Sequence, residues 1–305
     1  MARGNAAGVG TVGFVLLTHN KPYQAIRLFN TLNRMFNHPP IAWHHDFGLC
    51  DLPPDLTTTN AQFVRPHIRT EWGKFSVVDA TISALDLLVR LPHAPDWFVL
   101  LSGADYPIKT ADAILQDFKS SQFDVHIRYE RIIYNQYERD WQQLCYDRYC
   151  SLKFRIPSIN KRFHPKKRTI TINHPLIASR LSPFDKITCF AGEHWFCGKI
   201  HAAEYLVNFY KTQTWLADHY RKRDVHTISP DESYYQTVFL NSKLKVSNNF
   251  WRYIEWPVFH SLHPNTLTIK DLNKLNASDA HFARKFDVNA DNAILDVLDS
   301  QNFRS

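Results

Sequence analysis

Val12-Gly13-Phe14-Val15-Leu16-Leu17-Thr18-His19-Asn20-Lys21-Pro22 decides the fold class. The run Val12–Leu17 is short, continuous and apolar, the pattern of a strand buried on both faces. It gives way to polar Thr18-His19-Asn20. A helix is predicted to open near Pro22, with Ala25, Phe29, Leu32 and Phe36 on one face. Asn20 is the expected cap, and proline is tolerated in a first helical turn. A strand–loop–helix opening of this kind begins a nucleotide-binding α/β sheet. The G-x-G-x-x-G fingerprint of a dinucleotide site is missing.

The rest of the chain repeats the theme. Ile41–His45 reads as a second strand ending at Asp46. Trp72-Gly73 precedes a helix with Val78, Ile82, Leu85 and Val89 on one face. Trp97–Leu101 is another buried strand, running into the turn-rich Ser102-Gly103-Ala104-Asp105-Tyr106-Pro107, and Thr110 caps the helix that follows. Phe123–Ile127 and Trp195–Cys197 read as strands, and Ala202–Phe209 as a helix. The region from about 128 to 183 is less regular and holds the basic stretch Lys161–Arg168. No internal repeat or low-complexity linker interrupts the chain, so one α/β domain over 1–305 is expected.

Composition narrows the classes. With 305 residues, 44% of them hydrophobic, the chain can bury a sizeable core and is not a disordered segment. The net charge of +7 favours polyanionic partners without choosing among them. Cys50, Cys145, Cys150, Cys189 and Cys197 form neither a disulfide framework nor a zinc spacing, which reads as a reducing compartment. The 16 histidines are scattered, with no metal-ligand spacing. No apolar run is long enough to span a bilayer. A cytoplasmic location is expected, with peripheral contact to an anionic membrane through Lys161–Arg168 as a further expectation. That stretch lacks regular aromatic interleaving, so nucleic acid is not an expected partner.

Four places could carry chemistry. Ser229-x-x-Glu232, with Pro230 between, has the form of a capping box. Glu232 could equally be a general base at a pocket edge, and a capped helix end is a rigid mount for one. Arg284-Lys285 is either a solvated charge pair or a cationic site for an anionic group. No Asp-x-Asp pair is present to hold a metal there. Asp46 and Asp105 each follow a predicted strand, where ligands of open α/β sheets lie, although both also suit turns. Trp72 and Trp251 are stacking platforms or core residues.

Taken in order, the motifs become specific. Trp72-Gly73 with Ser76-Val77-Val78, the stretch Leu101–Thr110, Gly192-Glu193-His194-Trp195-Phe196, Ser229-Pro230-Asp231-Glu232, Arg252-Tyr253-Ile254-Glu255-Trp256 and Ala283-Arg284-Lys285-Phe286-Asp287 span nearly the whole chain. The set resembles the core-2/I-branching enzyme family, glycosyltransferase family 14, which includes peptide O-xylosyltransferases. The resemblance implies a GT-A-type fold, a central mixed sheet with a Rossmann-like nucleotide-binding half. It implies inverting transfer with no metal and no other cofactor. The implied donor is a UDP-sugar, first of all UDP-N-acetylglucosamine, and a glycan or lipid-linked saccharide hydroxyl accepts the sugar in a β-linkage. A xylosyltransferase, or a transferase for another UDP-sugar, is the alternative on the same scaffold. A non-catalytic glycan- or polyanion-binding protein is the alternative of another class.

The resemblance also implies roles. Glu232 falls on the catalytic base and Lys285, with Arg284, on the donor diphosphate. Asp46 falls on the nucleoside contact and Trp72 on an aromatic lining the donor site. Leu17 and Asp105 are assigned to the same donor side, within a half spanning about 11–127. Apart from the resemblance, Trp195 and Trp251 are the candidates for an acceptor platform in a second half, about 128–305. One departure stands out: Asn265 occupies the place of the family's second cation, so Arg284, His263 or Lys270 must assist Lys285. The segment Arg128–Arg148 does not match the mucin-branching enzymes, and acceptor identity is not carried over.

Overall fold

The computed structural model describes residues 10–303 except 55, 134–140, 151, 157–167, 173–183, 185, 223–228, 258–260 and 262. The chain begins with β1 (Val12–Thr18), α1 (Pro22–Phe36), β2 (Ile41–His45), β3 (Ala61–Phe63), α2 (Ser76–Val89) and β4 (Trp97–Ser102). There follow β5 (Tyr106–Pro107), α3 (Ala111–Ser120), β6 (Val125–Ile127), β7 (Glu130–Arg131), α4 (Trp141–Tyr149), β8 (Leu152–Ile156) and β9 (Arg168–Ile172). Next come β10 (Phe190–Ala191), β11 (Phe196–Lys199), α5 (Ile200–Thr212), α6 (Thr214–Arg221) and α7 (Tyr234–Leu240). The chain closes with β12 (Val246–Ser247), β13 (Arg252–Ile254), α8 (Leu272–Ala277), β14 (Phe282–Arg284) and α9 (Ala293–Asn302).

Seven strands make the central sheet, in the order β12-β6-β11-β4-β1-β2-β3. Strands β3, β2, β1 and β4 run parallel, while β11 is antiparallel to both of its neighbours, β4 and β6. This is a mixed sheet with a parallel half, the architecture that the GT-A expectation calls for. The continuous apolar runs have a physical reason. Successive strand residues point to opposite faces, and here both faces are covered. Val15, Ala42, Phe98 and Leu100 pack into a core with α2, α5, α6 and α7. Phe14, Leu16, Ile41, Trp43, Val99 and Leu101 pack into a second core with α1, α3 and α9.

A small sheet, β13-β14-β5, joins the C-terminal region to the turn after β4. It pairs Ile254 with Arg284 and Ala283 with Tyr106, and the Phe286 amide donates to the Ala104 carbonyl at 2.9 Å. Arg284 and Lys285, nearly 180 residues downstream in sequence, are thereby set beside the C-terminal end of β4.

Two caps differ from expectation. Asn20 does not cap α1: Lys21 takes that position in a left-handed conformation (φ 47°), with Pro22 in the first turn as foreseen. The Ser229–Glu232 capping box does not form. Ser229 is left-handed (φ 48°), whereas a capping side chain needs extended backbone to reach the N3 amide. Pro230–Glu232 is a single 3-10 turn, and α7 starts only at Tyr234. A capping box does form at Thr268 and Asp271, and Thr110 caps α3. Lys161–Lys167, the bulk of the stretch expected to meet a membrane, lies outside the described residues, as does the side chain of Arg168. No helix among the described residues is long and apolar enough to cross a membrane.

Candidate active site

A cleft of about 590 Å³ opens at the C-terminal ends of β1 and β4, the edge at which open α/β sheets bind ligands. Leu17 and Thr18 form its floor together with the Ser102–Ala104 turn. One wall is cationic. Arg284 lies over the Trp195 ring, 4.1 Å from its centroid, and its Nε is buried without a hydrogen-bond partner among the described residues. Burial, Arg284 and Lys21 together hold the Lys285 ammonium below the ordinary lysine range. Neither Arg284 nor Lys285 is in an ion pair among the described residues, whereas nearby Lys21 is taken by Asp287 at 2.6 Å. Two uncompensated cations on a cleft wall suit an anionic ligand such as a diphosphate.

The cleft also carries three acidic residues, Glu193, Asp231 and Glu232. The 229–233 turn that carries two of them is held from several sides. The Tyr149 hydroxyl donates to the Ser229 carbonyl at 2.9 Å. The Gly192 amide donates to the Glu232 carbonyl at 2.7 Å, and Ser233 Oγ donates to the Phe190 carbonyl at 2.7 Å. Arg148 Nη1 sits 3.2 Å from Glu232 Oε2, and His194 Nδ1 is 3.0 Å from Asp231 Oδ2. Burial, then the charges of Asp231 and Glu193, push the Glu232 carboxyl up to about 8, with Arg148 pulling against them. Burial also raises Glu193, against the attraction of Arg284. A carboxyl poised near neutrality at the edge of a cleft has the profile of a general acid or base.

The model of the Core-2/I-Branching enzyme family matches residues 55–277. The chain belongs to the Core-2/I-Branching enzyme family. Two curated relatives from Arabidopsis thaliana are similar to it, beta-glucuronosyltransferase GlcAT14B and beta-glucuronosyltransferase GlcAT14A. The first is 24% identical over 229 residues, covering 74% of this chain and 48% of the relative. The second is 24% identical over 233 residues, covering 74% and 47%. The chain therefore spans about half the length of the curated relatives it matches. Among solved structures, a 4-diphosphocytidyl-2C-methyl-D-erythritol synthase from Anaerococcus prevotii aligns over 88% of this chain and 96% of its own, with a TM-score of 0.34 and 10% identity. That likeness is too slight to bear on function.

Of the site residues that the branching-enzyme motifs single out, Leu17, Trp72, Trp195, Glu232, Arg284 and Lys285 line the cleft. Trp72 stands at its mouth, 56% exposed and tilted against His263. Asp46 and Asp105 stand behind the wall instead. Asp46 is fully buried, and its oxygens accept from the Thr70 amide (2.6 Å), Thr70 Oγ1 (2.9 Å) and the Gly48 amide (3.1 Å). These bonds keep its carboxyl below the usual range in spite of burial, and they brace the loop that presents Thr70 and Trp72. Asp105 accepts from the Ser102 amide at 2.7 Å and pairs with buried Arg252 at 3.3 Å, so it shapes the Ser102–Ala104 turn from below.

The two acceptor tryptophans fare differently. Trp195 lines the cleft but is only 6% exposed, with His194 stacked on it and Arg284 over it, so its ring carries a cation and is not an open platform. Trp251 is not on the cleft wall. Its ring is sandwiched between His126 (3.8 Å) and His281 (4.4 Å) in the core beneath β6 and β14, partners that the local sequence does not announce. Asn265 and Lys270 are off the wall as well, whereas His263 is on it. Asn265 instead takes the Lys285 amide on its carbonyl at 3.4 Å. Sequence reasoning missed Lys21, Arg148, Glu193 and Trp256. Glu193 lay inside a quoted motif, and Trp256 closed another.

Among the described residues, no three His, Cys, Asp or Glu side chains converge as a metal site would require.

Proposed function

We propose that the chain transfers a sugar from a UDP-sugar to a hydroxyl of a saccharide with inversion. Glu232 takes the acceptor proton. The acceptor oxygen bonds to the anomeric carbon as the bond from that carbon to the diphosphate oxygen breaks, and the electron pair leaves with UDP. Arg284 and Lys285 neutralise the charge that builds on the diphosphate, the part a bound metal plays in other transferases, so the reaction is proposed to need none. Asp46 contributes by holding the Thr70–Trp72 loop against the nucleoside. What supports this reading is one cleft that holds both a carboxyl pushed up to about 8 and two cations that have no ion pair among the described residues.

The proposed donor is UDP-N-acetylglucosamine. A glucuronate donor is the second reading, since both curated relatives are beta-glucuronosyltransferases by name. Thermal shift against a panel of nucleotide sugars, with and without EDTA, tests both. A ligand that binds only the folded state raises the melting temperature. Stabilisation by UDP and one UDP-sugar, unchanged by EDTA, is expected. Stabilisation that vanishes with EDTA would contradict metal independence, and no response to any uridine nucleotide would contradict the reading altogether.

A further inference from the structure

Glu193 differs from the other two acidic residues of the cleft. Asp231 is engaged by His194 and Glu232 by Arg148. Glu193 is in no ion pair among the described residues, and its side chain has one hydrogen bond, from the Trp256 indole N–H to Oε1 at 3.3 Å. A carboxylate offers about four acceptor positions, so most of its capacity is open to the cleft it lines.

Its backbone, by contrast, is fixed. Gln236 Nε2 donates to the Glu193 carbonyl at 2.7 Å. A Cβ at Gly192 would come 1.9 Å from the Arg128 carbonyl oxygen, so only glycine lets the loop press this close. Glu193 is also close enough to feel the charge of Arg284 and to impose its own on Glu232. Trp256 lines the same cleft with 40% of its surface exposed, an apolar face beside the carboxylate.

A sugar in transit must bridge the cations that hold the diphosphate and the base that meets the acceptor. We propose that Glu193, oriented by Trp256, accepts hydrogen bonds from the hydroxyls of the transferred sugar and selects an uncharged pyranose over a uronic acid. The inference rests on the sugar-transfer reading above. A uronate would bring a further carboxylate against Glu193, beside Asp231, while Arg284 is committed to the diphosphate. Like charges held together without a cation between them are strongly disfavoured.

Isothermal titration with UDP, UDP-N-acetylglucosamine and UDP-glucuronate separates the two levels. Wild-type protein is expected to bind UDP-N-acetylglucosamine at least about tenfold tighter than UDP-glucuronate. Glu193→Gln should keep its UDP affinity within about twofold and weaken UDP-N-acetylglucosamine by about tenfold, so that the preference over UDP-glucuronate collapses. Trp256→Phe, which keeps the ring and removes the N–H, should shift the same ratio in the same direction by a smaller factor. It also serves should Glu193→Gln fail to fold. Wild-type protein that bound UDP normally but took UDP-glucuronate as tightly as UDP-N-acetylglucosamine would overturn the inference. So would an unchanged ratio in folded Glu193→Gln. Wild-type protein that bound no UDP at all would overturn the sugar-transfer reading itself, and the inference with it.

Discussion

Replacing Arg148 with glutamine should move the acid limb of the pH–rate profile. The Glu232 carboxyl is held at about 8, against an ordinary glutamate value of 4.5, with burial as the largest cause and Arg148 opposing it. The guanidinium is 3.2 Å from Oε2, and the Glu232 side chain keeps 36% exposure, so solvent screens the pair. A solvent-screened pair of this kind is worth roughly 0.5–1 kcal/mol, about half a pH unit. Only the ionised carboxylate can take a proton, so kcat/KM rises with pH through about 8 and levels off above it. At pH 7 about a tenth of wild-type Glu232 is ionised, and about a thirtieth in Arg148→Gln. The variant should therefore lose about threefold in kcat/KM at pH 7 and recover to near wild type at pH 10. UDP release followed from pH 6 to pH 10, with a mixture of small glycans as acceptor, measures this. An equal loss at every pH, or a limb that does not move, would refute the electrostatic reasoning.

Lys285→Ala should weaken UDP binding by about 10- to 100-fold in titration calorimetry, since it removes a charged partner of the diphosphate, while circular dichroism stays that of wild type. Arg252→Met leaves the Asp105 carboxylate buried without its partner, and urea unfolding should show a loss of about 3–5 kcal/mol. A loss below about 1 kcal/mol would mean that the pair is not formed. Trp251→Phe should lower stability by about 1–3 kcal/mol through its histidine sandwich and leave UDP affinity and acceptor KM unchanged. A raised acceptor KM in a stable protein would return Trp251 to the acceptor site.

What the sequence made legible follows from how local each cause is. The strands β1, β2 and β4 were readable because a parallel strand covered on both faces must be apolar throughout, and Val12–Leu17 and Trp97–Leu101 are. Lys285 and Glu232 were readable as candidates because each lies in a motif of fixed local form. Their surroundings were not. Arg148 reaches Glu232 across 84 positions. Lys21, left-handed ahead of Pro22, is claimed by Asp287 from the far end of the chain. Ser229-x-x-Glu232 satisfied a local capping rule, but Tyr149 and Gly192 hold that turn in a shape the rule does not cover. Trp195 and Trp251 looked alike as single aromatic residues, and only the packing of Arg284, His126 and His281 separates a cleft residue from a core one.

The central claim is that Glu232 is the base of a sugar transfer from a UDP-sugar. The most direct test compares Glu232→Gln with wild type for transfer from radiolabelled UDP-N-acetylglucosamine to a glycan mixture, alongside UDP affinity. Turnover is expected to fall about 10²- to 10⁴-fold while UDP binds within about twofold of wild type. Near-normal turnover in Glu232→Gln would contradict it.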